Sequence, residues 1–122
     1  ALAGFMRILG REFIEHYHGR LINIHPSLLP KYPGLDTHTR AIAAGETQHG
    51  ASVHFVIPDV DAGPVILQAA VPVLPNDTSE TLAKRVLEEE HRIYPLAIRW
   101  FAEGRIELRD GRALLDGRPC PG

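Results

Sequence analysis

Prolines at positions 26, 30 and 33 follow directly on the apolar run Leu21-Ile22-Asn23-Ile24-His25, and they constrain this chain more than any other feature. Proline's locked φ and missing N–H keep a strand or helix from continuing through such a segment. The run before it is short and apolar, as in a strand covered on both faces, and it is read as a central parallel strand. It should deliver its last residues to an irregular loop at the edge of a sheet. Asn23 and His25 are two positions apart, so on a strand both side chains leave the same face. An amide that donates to a developing oxyanion, beside an imidazole that can deliver a proton, suits acyl transfer. For an Asn-x-His alone, a loop-capping asparagine and a satisfied histidine explain more. The full run Asn23 to Pro30 favours chemistry.

A second segment, Asp59-Val60-Asp61-Ala62-Gly63-Pro64, could supply a carboxylate to that pair. An aspartate in such a turn commonly bonds its own backbone. In the functional reading Asp61 orients His25 and shuttles protons through water. Asp59, two residues back, has similar turn chemistry and competes for the role. Residues Ser52 to Val56 alternate as a strand, with Ser52 and His54 on one face and Val53 and Phe55 on the other. Ser52 and His54 either face water or hydrogen-bond the Asn23–His25 pair, and support for the pair is the favoured reading. Glu88, Glu89 and Glu90 read as a solvated helix face, from which one could still hold a sugar hydroxyl.

At 122 residues the chain is at most one domain, and 44% apolar with 23% charged residues is a soluble globular balance. A net charge of -2 gives no general attraction to nucleic acid or anionic membrane. No apolar run is long enough to span a bilayer. Cys120 is the only cysteine, so an internal disulfide is impossible, which fits a reducing cytoplasm. The pairs His16/His18 and His49/His54 lack metal-site spacing, so no zinc is expected. The N-terminus lacks the basic region and cleavage site of a signal peptide; Ala1 to Met6 reads as the middle of a strand-to-loop transition, and a fragment is expected.

Residues 1–9 suggest the end of a buried strand, and Glu12 to Tyr17 a short helix stopped by Gly19. Thr37 is the expected N-cap of a helix ending before Gly45. Val65 to Val73 reads as a strand. Asp77 with Glu80 resembles a capping box, opening a helix in which Leu82, Val86, Ile93, Ala97 and Trp100 recur at helical spacing. Pro95 is expected to kink or split that helix, and Gly104 to end it. Asp110-Gly111 joins Ile106–Leu108 to Ala113–Leu115 as a hairpin. The fold class expected is α/β with a late hairpin.

The run Asn23-Ile24-His25-Pro26-Ser27-Leu28-Leu29-Pro30-Lys31-Tyr32-Pro33-Gly34 closely resembles the phosphoribosylglycinamide formyltransferase (GAR transformylase) family. The resemblance continues through Phe5 to Leu9, Ser52 to Val56, Asp61 to Gln68 and Glu90 to Leu96, and covers essentially the whole chain. Asn-x-His with Asp alone would also fit methionyl-tRNA formyltransferase or formyltetrahydrofolate deformylase. The Lys-Tyr-Pro-Gly continuation, the Ile-Tyr-Pro-Leu helix and the short hairpin favour the purine enzyme. The resemblance implies a Rossmann-like α/β domain with a mixed sheet flanked by helices and a C-terminal β-hairpin. Residues 1–122 would be a single, partial formyltransferase catalytic domain. It implies formyl transfer from 10-formyltetrahydrofolate to glycinamide ribonucleotide, without a metal. Catalytic Asn, His and Asp would fall on Asn23, His25 and Asp61. Folate contacts would come from Met6, Arg7, Ile8, Leu9, Asn23, Ile57, Pro58, Asp59, Val60 and Asp61. Ribotide contacts would come from Gly4, Ile24, Leu87 and Glu90. Expected partners are these small molecules, with no nucleic acid or membrane, and either a second copy of the chain or an absent N-terminal segment. The runners-up are a noncatalytic folate- or nucleotide-binding fragment and a deformylase-type hydrolase. Three departures stand out: the family's first strand and glycine-containing phosphate loop are missing, Asp36 stands where His is frequent, and Ala62 where Gly is frequent.

Overall fold

A computed structural model describes residues 20–57 and 62–120 of the chain. The strand expected in residues 1–9 and the helix expected at Glu12 to Tyr17 lie outside the described residues. Within them run β1 (Ile22–His25), α1 (Thr37–Ala43), β2 (Gln48–Phe55), β3 (Val65–Pro72), α2 (Ser79–Ala102), β4 (Ile106–Arg109), β5 (Arg112–Leu115) and β6 (Arg118–Pro119). The architecture is α/β. One sheet has the order β1-β2-β3, the other β4-β5-β6.

The parallel neighbours expected of β1 would precede it in the chain, outside the described residues. Among the described residues it pairs antiparallel with β2, placing Ile22 opposite Phe55, Asn23 opposite His54, Ile24 opposite Val53 and His25 opposite Ser52. The apolar run reported burial on both faces, and burial does not encode strand direction. β3 pairs antiparallel with β2, with an irregularity at Val53/His54. β2 is longer than its alternating core suggested and begins at Gln48.

α2 covers one face of this sheet. Ile22, Ala51, Val53 and Phe55 pack in one cluster with Leu82, Val86, Ile93 and Ala97, the positions that recur at helical spacing. Pleat alternation sends Asn23, His25, Ser52 and His54 to the opposite face. The helix runs through Pro95 without a break. An interior proline costs about 3 kcal/mol, whereas burying one Ile or Leu side chain gains roughly 1.5–3 kcal/mol. Leu82, Val86 and Ile93 before Pro95 and Ala97 after it are fully buried, so packing outweighs the defect.

Both expected helix starts are corrected by one residue. The α1 N-cap is Asp36, in a left-handed conformation with no side-chain cap. Thr37 is the first helical residue, and its hydroxyl donates instead to the Pro26 carbonyl at 2.5 Å, tying the helix to the proline loop. The α2 N-cap is Thr78, in a reciprocal capping box with Thr81. Asp77 accepts from Leu74 N at 2.7 Å, Thr81 Oγ1 at 2.9 Å and both terminal nitrogens of Arg85 at 2.7 and 3.0 Å. The Arg85 hydrogen bonds hold the Asp77 carboxyl far below the usual carboxylate range. Arg85 also donates to the Pro72 carbonyl at 2.9 Å, so this pair fastens the start of α2 to the end of β3.

The second sheet follows from turn chemistry. Asp110 and Gly111 have φ of 51° and 74°, the left-handed pair of a two-residue type I′ hairpin. Asp116-Gly117, at 53° and 81°, repeats the device and adds β6.

Candidate functional site

β1 ends at His25, and the chain leaves the sheet through the proline loop as the sequence requires. Asn23 and His25 are both 5% exposed, on one face and flanked across the ladder by His54 and Ser52, which are fully buried. The register therefore brings four of the sequence-predicted side chains into one patch.

Ser52 anchors the loop to that patch. Its hydroxyl donates to the Ser27 carbonyl at 2.7 Å and accepts from Leu29 N at 3.0 Å and Gln68 Nε2 at 2.9 Å. One donor and both acceptor positions are thus in use. Gln68 Nε2 also donates to the Leu29 carbonyl at 2.9 Å. Ser27 Oγ donates to the Lys31 carbonyl at 2.6 Å. His25 Nε2 lies 2.8 Å from the Tyr32 carbonyl, and His54 Nδ1 lies 2.8 Å from the Phe55 carbonyl.

Behind the loop lies a histidine pair that sequence spacing does not suggest. His49 Nε2 is 3.2 Å from His38 Nδ1, the two rings meet edge-to-face at 5.2 Å, and Tyr32 stacks edgewise on His49 at 6.3 Å. Burial, then the neighbouring His38, pushes His49 down from 6.5 to about 4. Burial, then the charge of His25, lowers His38 as well. Because the folded His49 holds its proton less tightly than the unfolded one, stability is complete above about pH 6.5 and declines as pH falls toward 4. The full loss is on the order of 2–3 kcal/mol. Urea denaturation across this range is expected to show that decline, and His49→Gln to flatten it. An unchanged slope in the variant would remove His49 as its source.

On the other face of β1, Ile24 lines a cleft of about 370 Å³ with Leu87, Glu90, His91, Tyr94 and Pro95. Three of the residues singled out from the sequence, Ile24, Leu87 and Glu90, thus share one cavity, to which the structure adds His91, Tyr94 and Pro95. Burial raises the Glu90 carboxyl above its ordinary value, against a smaller opposing effect of His91. A half-buried carboxylate on an apolar wall is suited to hold hydroxyl groups. Gly4, Met6, Arg7, Ile8, Leu9, Pro58, Asp59, Val60 and Asp61 lie outside the described residues. Ile57, two residues past the end of β2, is half-buried. No group of three or more His, Cys, Asp or Glu side chains that could hold a metal occurs among the described residues. No helix among them is long and apolar enough to cross a membrane.

Residues 1–98 match the formyl transferase family model. Over 120 residues the chain is 58% identical to phosphoribosylglycinamide formyltransferase of Escherichia coli (strain K12), an alignment covering 98% of this chain and 57% of that protein. The chain therefore spans little more than half the length of that relative. Among solved structures, a phosphoribosylglycinamide formyltransferase from Coxiella burnetii superposes with a TM-score of 0.89 at 59% identity, covering 95% of this chain and 55% of that one. A formyltetrahydrofolate deformylase from Pseudomonas syringae shares the fold, with a TM-score of 0.82, at 29% identity over 88% of this chain and 36% of that one.

Proposed function

The chain belongs to the formyl transferase family, and from that premise we propose that it supplies the catalytic site of a phosphoribosylglycinamide formyltransferase in purine biosynthesis. The observation that carries this reading is the buried amide–imidazole pair, Asn23 and His25, on one sheet face, flanked across the ladder by His54 and Ser52. In this reaction the amine of glycinamide ribonucleotide attacks the formyl carbon of 10-formyltetrahydrofolate. Asn23 stabilises the resulting oxyanion. His25, oriented by Asp61, relays the proton lost by the amine to the folate nitrogen as its bond to the formyl carbon breaks. The formyl group on an anilinic nitrogen is already activated, so no metal is needed.

The folate lies against Met6 to Leu9, Asn23 and the segment Ile57 to Asp61. The ribotide uses Gly4, Ile24, Leu87 and Glu90, with the Glu90 carboxylate on a sugar hydroxyl. Residues 1–122 act as one partial catalytic domain, with His54 beside the pair and Ser52, its hydroxyl taken up by Ser27, Leu29 and Gln68, anchoring the proline loop rather than bonding the pair. The setting is cytoplasmic and the partners are small molecules, with neither nucleic acid nor membrane. Twofold higher identity to the transferases than to the deformylase favours an amine over water as acceptor.

The test is to mix the protein with 10-formyltetrahydrofolate, with and without ribotide. Tetrahydrofolate released only with ribotide is the expected result. Release without it would make the protein a hydrolase, and binding of either ligand without turnover would make it a noncatalytic module.

A further inference from the structure

We infer that Arg40 is a positioning residue that fixes which nitrogen of His25 carries the proton, an inference resting on the formyl-transfer reading. A carbonyl oxygen has no proton to give, so the Tyr32 carbonyl, 2.8 Å from His25 Nε2, can only accept. While that contact holds, His25 carries Nε2–H, and the proton that comes and goes is the one on Nδ1. Tautomer choice at a catalytic imidazole is set by the partner of the other nitrogen, here a piece of loop backbone.

That backbone is not relaxed. Tyr32 has φ 52°, Gly34 88° and Asp36 55°, three left-handed residues within five positions. For residues with a Cβ this conformation is costly and persists only where the surroundings hold it. Ser27 Oγ on the Lys31 carbonyl holds the near end of this stretch, and Arg40 holds the rest. Its Nη1 donates to the Pro33 carbonyl at 2.8 Å and the Leu35 carbonyl at 2.7 Å, on either side of Gly34. Its guanidinium sits 5.2 Å over the Tyr32 ring, within cation–π range. Arg40 is itself fixed in α1, with its N–H on the Asp36 carbonyl at 3.0 Å and its carbonyl receiving Ala44 N at 3.0 Å. One side chain thus grips the loop at three points around the carbonyl that meets His25. The Lys31–Glu46 ion pair also touches this loop, at 2.9 Å, but Lys31 is 62% exposed and such a pair restrains little. Lysine at position 40 would keep the charge and lose the planar fork.

The experiment compares the protein with Arg40→Ala and Arg40→Lys, using ring ¹⁵N shifts of His25 at a pH where the imidazole is neutral, and steady-state kinetics. Arg40 lies outside the hydrophobic cluster, so both variants are expected to fold, which circular dichroism checks. If Arg40→Ala does not fold, Arg40→Lys is read by itself. The parent is expected to show a protonated Nε2 and an unprotonated Nδ1. Arg40→Ala is expected to average the two tautomers and to lose ~10–10²-fold in kcat with KM within about threefold, Arg40→Lys falling between. A fixed Nε2–H tautomer with unchanged kcat in Arg40→Ala overturns the inference. If the tautomers average but no form of the protein transfers a formyl group, the positioning stands and the functional reading fails instead.

Discussion

Alanine at His25 is expected to lower the turnover of formyl transfer by ~10²–10³-fold or more, with a smaller effect on ligand affinity. In the proposed reaction the imidazole would relay the proton from the amine to the folate nitrogen, so its removal should act on the transition state more than on binding. Asn23→Ala should match it, because an oxyanion donor earns its effect only as charge develops. Asp61→Asn keeps the side chain's shape and loses its negative charge, so under the proposed roles it should be severe and should alter the pH profile of turnover. Asp59→Asn should be much milder, since that residue is assigned to the loop. Steady-state kinetics on the four variants decides the carboxylate: if Asp59→Asn abolishes turnover while Asp61→Asn preserves it, the assignment is reversed.

The largest expected effect on stability comes from a single methyl group at Gly63. A Cβ there would overlap the carbonyl oxygen and carbon of Phe55, backbone atoms that cannot swing aside. Phe55 is fully buried at the end of β2, and its N–H is held by the Pro64 carbonyl at 3.0 Å. Gly63→Ala must therefore push the chain entering β3 away from the end of β2. A cost of ~3 kcal/mol or more is expected, at the upper end for point substitutions. Gly45→Ala provides the contrast. Its φ is 72°, yet nothing lies within 4 Å of the added carbon, so only the left-handed conformation is penalised, by ~1 kcal/mol. Denaturant midpoints of the two variants separate overlap from conformational strain, and equal losses would show that the close approach at Gly63 is not rigid.

What was legible in the sequence had a local cause. Asp110-Gly111 names its own turn type, because both positions need a left-handed residue, and the hairpin forms there. The same signal at Asp116-Gly117 went unread because the strand after it, Arg118–Pro119, is too short to show a pattern. The buried stripe Leu82, Val86, Ile93 and Ala97 was legible from its period alone. The cap of α2 was misplaced by one residue because Asp77 looks like a cap but spends its oxygens on Leu74, Thr81 and Arg85. Asn23 with His25 could be found from spacing of two on a strand. The His38–His49 contact could not, because α1 and β2 meet only through tertiary packing. Nor could the role of Tyr32, which faces His25 with its backbone rather than its side chain.

The register of β1 on β2 has one more consequence, for how errors of folding would reveal themselves. Sliding β1 by a single residue would exchange its two faces, turning Ile22 and Ile24 toward the histidine side and Asn23 and His25 into the apolar layer under α2. Such a chain would be miswired in both respects at once: its core would hold polar groups and its chemistry would be extinguished. Intermediate products, well packed but inert or active but loosely packed, are not available by this route. Under the proposed function, specific activity of a preparation would double as a gauge of strand registry.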